Sequence, residues 1–113
     1  MIFEQGDFIE VNFNPTLGHE PQKLRPALVV SDSYFNNVAS SLTVVCPITT
    51  NDNKHPLHVE IRKGNVVSGY ICVEALRAID LSAGKREVTH LGSSIDKTTM
   101  AEVLEKIGAV FGI

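Results

Sequence analysis

The sequence of 113 residues has no tryptophan, only seven other aromatic residues and only two cysteines. So few aromatic side chains argue against the aromatic-lined groove of a peptide-binding module. Cys46 and Cys72 each stand in an apolar run, so we expect two buried, reduced thiols and not a disulfide. With no Cys/His pair at ligand spacing, we expect no zinc site, and no other motif implies a metal or a cofactor.

Long apolar runs and an excess of positive charge are also missing. No run approaches the ~18–20 apolar residues that cross a bilayer. The N-terminus MIFEQGDFIEV has no basic segment before a cleavable apolar one, which predicts a cytoplasmic protein. The net charge of −3 argues against a generic nucleic-acid binder. An anionic partner must therefore meet a local basic patch.

The chain length predicts one domain, residues 1–113. Alternating or continuous apolar runs between turn signals predict several short strands, the first of them half-buried. They are residues 7–14, 25–31, 42–48, 58–62, a strand within 66–76, 77–81 and 87–91. Residues 32–39 are predicted to form a short helical turn or a loop.

The C-terminal segment has a helical period. Asp96 is a good N-cap, and an apolar stripe follows at helical spacing: Met100, Val103, Leu104, Ile107, Val110 and Phe111. Short strands with one closing helix predict a mainly β fold, a small, strongly bent antiparallel sheet or open barrel.

Residues 14–32 comprise a polar loop that leads into an apolar strand. The loop offers a histidine, a carboxylate, an amide, a lysine and an arginine, and the strand behind it is rigid. Folds often present chemistry in this way, although a polar loop can also be a solvated surface.

The order and spacing of several elements resemble the MazF/PemK/Kid family of toxin–antitoxin ribonucleases. The matching elements are Gly6-Asp7, Pro15-Thr16, Gly18-His19-Glu20, the run Arg25-Pro26-Ala27-Leu28-Val29-Val30, Pro47-Ile48-Thr49 and Arg77-Ala78-Ile79-Asp80. The resemblance implies an SH3-like barrel, a homodimer, and metal-independent, sequence-specific cleavage of single-stranded RNA without a cofactor. It also implies a cognate MazE-like antitoxin whose acidic tail covers the same cleft.

The resemblance places the catalytic pair of MazF-like enzymes on Arg25 and Thr49. An arginine at a strand end binds phosphate through its planar fork, and a threonine hydroxyl can bond the same phosphate. Alternatively, Arg25 pairs with Glu20 at the rim and Thr49 only forms a turn.

His19 matches the catalytic histidine of Kid-like members, and histidine is the side-chain type whose ordinary pKa lies nearest to neutral pH. Those members also have an Arg and an Asp, whose positions here fall on Cys72 and Glu74. Because the Arg is missing, the MazF-like pair is favoured. Glu74 is then a general base, a base-reading group or merely a partner of Arg77.

Further candidates for substrate binding are polar or charged groups that can reach base edges or phosphates. They are Asn14, Thr16, Gly18, Glu20, Gln22, Lys23, Thr50, Asn51, Lys54, His55, Glu74 and Arg77. With few aromatic side chains to stack on, we expect recognition to rest on hydrogen bonds.

Two other functions are compatible with the sequence. Relatives of the same fold poison DNA gyrase without cleaving RNA, through their C-terminal helix. An inactive SH3-like binding module is the other alternative.

Overall fold

The structure, a computed structural model, describes residues 2–13, 24–39, 41–82 and 87–113. Its main element is an antiparallel sheet with the strand order β4-β5-β3-β2-β1-β7, in which β6 pairs with β3. The strands are β1 (Asp7–Val11), β2 (Arg25–Val29), β3 (Leu42–Thr49), β4 (His58–Glu60), β5 (Tyr70–Cys72), β6 (Arg77–Asp80) and β7 (Val88–Ser94). Each lies within or overlaps a predicted strand.

The long strand β3 explains why the sheet bends. Its first half pairs with β6 through Leu42 to Val45, and its last two residues pair with β5. β6 and β5 thus pair with the same edge of β3 at different positions along its length. The order ends in β4 and β7, so the sheet is open, and the predicted bent antiparallel sheet is confirmed.

The two faces of the sheet carry different apolar clusters. One face, which we call the helix face, packs Phe8, Leu28, Cys46 and Ile71 against Met100 and Val103 of the C-terminal helix. The opposite face, which we call the open face, is built on Ile9, Val11, Ala27, Val29, Val45 and Ile79, with Phe3 and Phe13 over them.

The prediction that β1 is half-buried was wrong. Phe8, Ile9 and Val11 are all fully buried. The strand lies between β2 and β7, and both of its faces meet an apolar cluster. Ile9, which breaks the alternation in the sequence, therefore has its own core on the open face.

Among the described residues, two α-helices accompany the sheet, and α1 (Ser33–Val38) confirms the predicted helical turn. The C-terminal helix α2 (Lys97–Phe111) begins at the predicted cap, where Asp96 accepts the Thr99 N–H at 2.9 Å, and ends at Gly112 in the left-handed region. Its stripe is buried only in the first half, since Leu104, Val110 and Phe111 are exposed. No helix among the described residues has the length and apolar character needed to span a bilayer.

Candidate functional site

Arg25 and Thr49 lie on the neighbouring strands β2 and β3. Strand β2 pairs with β3 through Ala27 opposite Pro47, and the same register continued by two residues brings Arg25 opposite Thr49. Residues opposite each other in an antiparallel pair direct their side chains to the same face. The guanidinium and the hydroxyl predicted to act together are thus brought to one place on the open face.

The row continues across two further strands. Thr49 pairs with Tyr70 on β5, and Tyr70 pairs with Glu60 on β4. On the other side, Arg25 pairs with the buried Val11 of β1. A cation, a hydroxyl, a phenol and a carboxylate therefore follow one another across the sheet.

The position of Thr49 is fixed by close backbone contacts. Gly69 adopts a φ of +127°, and a Cβ at this position would lie 2.4 Å from the Thr49 carbonyl oxygen. Only glycine allows this approach without a shift of the backbone. The Thr49 hydroxyl accepts the Asn51 N–H at 3.2 Å, which leaves its own proton available to donate.

Arg77 adds a second cation to the open face. It pairs with Val45 of β3, and its guanidinium carbon lies 5.4 Å from the centre of the Phe13 ring. A guanidinium above an aromatic face is stabilised by the ring quadrupole. Phe13 follows β1 two residues after Val11, the partner of Arg25, so both arginines are held at the same end of this face.

Tyr70 lies beside negative charge. Glu60 above all, then partial burial and Asp52, raise the pKa of its phenol. The phenol therefore stays protonated at neutral pH and can donate a hydrogen bond.

A second polar cluster lies next to this row and joins His58, Glu74 and His55. His58 pairs with Cys72 at the height of Pro47, and its Nε2 is 2.9 Å from Glu74 Oε2. Its Nδ1 is 2.7 Å from the carbonyl oxygen of Asp52, in the loop that follows Thr49. The His55 and His58 rings stack with their centres 5.2 Å apart.

Both cysteines are free and buried, as predicted. Burial first, and then the nearby Cys72 and Glu74, raise the pKa of Cys46 to about 12. Burial and Glu74 also raise the pKa of Cys72. Both thiols are therefore protonated and poor nucleophiles near neutral pH.

The structure places only part of the predicted site. Arg25 is exposed at the start of β2, Thr49 ends β3, and Thr50, Asn51, Lys54 and His55 follow in the next loop. Glu74, in a 3₁₀ turn at Val73–Ala75, pairs with His58 and not with Arg77. The other candidates lie outside the described residues: Asn14, Thr16, Gly18, His19, Glu20, Gln22 and Lys23.

Sequence reasoning missed Tyr70, His58 and Phe13 as members of this region. Tyr70 stands in a short strand whose partners are remote in the chain, and no local pattern marks it. The H-x-x-H spacing of His55 and His58 was the signal available for the second cluster. Phe13 was predicted only as an apolar strand residue.

The fold and the candidate site define a small β protein with an open antiparallel sheet that carries a cation and a hydroxyl on one face. A family model described as "PemK-like, MazF-like toxin of type II toxin-antitoxin system" matches residues 4–111. The chain belongs to this family.

Curated relatives and solved structures agree with this family. The chain is 38% identical to the endoribonuclease toxin ChpB of Escherichia coli (strain K12), over 96% of this chain and 93% of the relative. It is 32% identical to the endoribonuclease PemK of Escherichia coli, over 95% of this chain and 80% of the relative. The MazF in a MazE–MazF crystal structure from Deinococcus radiodurans superposes with a TM-score of 0.81 at 29% identity, covering 100% of this chain and 98% of that one.

Proposed function

We propose that this protein is a sequence-specific, metal-independent endoribonuclease toxin that cleaves single-stranded RNA and is neutralised by a cognate antitoxin. The observation that carries the proposal is the pairing of β2 with β3, whose register, continued by two residues, brings Arg25 opposite Thr49. The names of the curated relatives support it, since both are endoribonucleases.

The reaction uses the nucleophile that RNA itself contains. The 2′-oxygen attacks the adjacent phosphorus, the bond from phosphorus to the 5′-oxygen breaks, and the products are a 2′,3′-cyclic phosphate and a 5′-hydroxyl. One proton leaves the 2′-hydroxyl and another reaches the 5′-oxygen. The protein has to supply stabilisation of the extra negative charge on the phosphoryl oxygens and a route for both protons.

Arg25 supplies the positive charge in this proposal. Its exposed guanidinium at the start of β2 can take two phosphoryl oxygens at once. The Thr49 hydroxyl, opposite on β3, donates to the same group. His19, in the loop outside the described residues, and Glu74 are the candidate proton carriers.

The remainder of the open face is suited to the rest of the RNA. Arg77, held over Phe13, provides a second phosphate contact. Tyr70 offers a donor and a flat ring next to Thr49, and the loop with Thr50, Asn51 and Lys54 offers hydrogen-bonding groups. Together they give a substrate strand both charge and base contacts.

The antitoxin is proposed to cover the same cations. The similar MazF was crystallised with MazE. An acidic, partly disordered segment laid across Arg25 and Arg77 would occupy the place of the RNA phosphates. We also propose that the toxin acts as a homodimer in the cytoplasm.

The test is cleavage of one long RNA, and of DNA with the same sequence, in excess EDTA. We expect discrete RNA fragments with 5′-hydroxyl and cyclic phosphate ends from the wild type, and intact DNA. Arg25→Ala and Thr49→Ala should each lose about 10²–10³-fold in rate. Arg62→Ala is the matched control, because Arg62 bonds Thr99 at 2.9 Å and pairs with Glu102 of α2, away from the site.

Intact RNA across diverse sequences would refute the ribonuclease proposal. Gyrase poisoning through α2 then becomes the function to test, with Phe111→Ala as the variant, because this side chain is exposed at the end of the helix. An inactive binding module would show neither effect.

A further inference from the structure

His55, His58 and Glu74 bring three metal-ligating groups together at the edge of the sheet. One ligand atom from each of the three side chains lies within 4.8 Å of those of the other two. The residues come from three places: the loop before β4, the start of β4, and the 3₁₀ turn after β5. His55 and His58 are close in the sequence, and tertiary folding brings Glu74 to them.

The hydrogen bonds of His58 indicate which ring nitrogen carries its proton. A carbonyl oxygen only accepts, so the 2.7 Å contact with Asp52 puts the proton on Nδ1. In a neutral imidazole the Nε2 lone pair then points at the Glu74 carboxylate from 2.9 Å. Two acceptors at this distance repel each other, so the pair needs either a proton between the two atoms or a metal ion that both of them bind.

The same hydrogen bond prepares His58 as a ligand. Metal-binding histidines usually donate their second ring N–H to a carbonyl or carboxylate, which holds the ring and directs the other nitrogen at the metal. The His58 side chain is only 5% exposed, so its orientation is held by packing as well. Glu74 is 31% exposed, which leaves access for an ion and a water molecule.

We propose that His55, His58 and Glu74 form a binding site for a zinc-like divalent transition metal, with water as a further ligand. Two imidazoles and one carboxylate suit Zn²⁺ and its neighbours, whereas Mg²⁺ and Ca²⁺ prefer oxygen alone. His55 is the adjustable member. Its Nδ1 accepts the Leu57 N–H at 3.1 Å, and ligation by that nitrogen exchanges this bond for a metal bond.

This site departs from the expectation of no zinc site, which considered Cys/His pairs. A bound metal ties the loop after Thr49 to the 3₁₀ turn, because His55 and the His58 partner Asp52 both belong to that loop. The site does not depend on the proposed ribonuclease activity. Cleavage is tested in EDTA and metal binding without RNA, so the failure of either leaves the other standing.

The test is calorimetric titration of the full, tag-free chain, freed of metal with EDTA and dialysed, with Zn²⁺ against a competing chelator. We expect one equivalent bound with micromolar or tighter affinity, no heat with Mg²⁺, and a higher Tm with Zn²⁺ than in EDTA. His58→Ala and Glu74→Gln should each weaken binding by tenfold or more. His90→Ala is the matched control. This histidine lies on the far strand β7 and pairs with Asp7 of β1, so the variant should bind zinc as the wild type does.

Cobalt gives an independent measurement of the donor set. Co²⁺ in this site should show visible bands of a four- or five-coordinate ion, without the near-ultraviolet thiolate band that Cys46 or Cys72 would produce. Glu74→Gln keeps the side-chain shape, so it decides the case if His58→Ala does not fold. The proposal is overturned by sub-stoichiometric binding, by a thiolate band, or by variants that bind as wild type. The cluster is then only an imidazolium–carboxylate pair.

Discussion

The two faces of the sheet are built from the same strands but end differently. On the helix face, apolar residues continue from the strands into α2, where Met100 and Val103 complete the cluster. On the open face, the apolar cluster ends in a row of polar groups, with Arg25, Thr49 and Tyr70 on adjacent strands.

The difference shows that the residues that stabilise the fold and the residues proposed to act on RNA are divided between the two faces of one sheet. Alternate residues of one strand serve both, since Ile48 is buried on the helix face and Thr49 next to it reaches the open face. The period of two in a strand makes this division possible. The predictions below test how complete the separation is.

The largest expected effect is on the helix face. Phe8 is fully buried there, and Phe8→Ala should lower the free energy of unfolding by about 3–5 kcal/mol. Phe13→Ala, at the margin of the open face, should cost less and should instead weaken RNA binding through Arg77. Urea denaturation of both variants measures the two changes in the free energy of unfolding. Equal losses of stability would break the contrast between the faces.

Arg25→Lys sharpens the contrast from the other side. The charge is kept, but the planar fork that takes two phosphoryl oxygens is lost, so kcat/KM for RNA should fall by about 10–100-fold. The unfolding free energy should change by less than about 0.5 kcal/mol, because Arg25 is exposed. Full activity of the lysine variant would show that charge alone suffices.

Gly69→Ala should affect both faces at once. The alanine Cβ would lie 2.4 Å from the Thr49 carbonyl oxygen, at a φ that disfavours a side chain. It would also lie 3.4 Å from the Cγ2 atom of Ile48, whose side chain belongs to the helix face. We expect a cost of about 1–3 kcal/mol in unfolding free energy and a loss of RNA cleavage as Thr49 shifts. Gly64→Ala is the control for the effect of φ alone, because Gly64 also has a positive φ but its added Cβ would have no atom within 4 Å. Retained activity in a destabilised Gly69→Ala would show that the site tolerates this shift.

The smallest expected effect concerns the helix cap. Hydrogen bonds from the Thr99 hydroxyl, the Thr99 N–H and Asn65 lower the pKa of Asp96 to about 2 in the folded chain, from 3.8. The bonds therefore stabilise the fold above about pH 4, and this contribution is lost as the pH falls towards 2. Asp96→Ala should lower Tm by about 3–6 °C at pH 7 and by much less near pH 2.5.

Thermal unfolding at both pH values measures this difference. Asp32→Ala, at the cap of the shorter α1, should change Tm less, because fewer residues depend on that cap. A loss in Asp96→Ala that is the same at both pH values would mean that the carboxylate charge contributes nothing.

Local sequence patterns predicted the elements well, because each depends on near neighbours. The cap at Asp96, the strand Arg25–Val29 and the buried state of both cysteines could be read from adjacent residues. The errors came where burial depends on distant strands. The prediction of a half-buried β1 is wrong because the sequence does not show that β2 and β7 flank this strand.

The candidate site divides in the same way. Sequence resemblance named Arg25 and Thr49, while Tyr70, His58 and the position of Glu74 required the sheet. Glu74 was considered with Arg77, three residues away, yet its partner is His58, 16 residues away.

The sequence by itself determined the strands, the C-terminal helix, the family and the two residues that carry the proposed chemistry. Only the tertiary structure decided which groups share a face: Arg25 with Thr49 and Tyr70, and His55 with His58 and Glu74. The physical reason is that side chains alternate along a strand, so the sequence alone predicts which residues lie on the same side of one strand. The register between strands determines which of these residues lie opposite each other on neighbouring strands, and it depends on burial over the whole sheet.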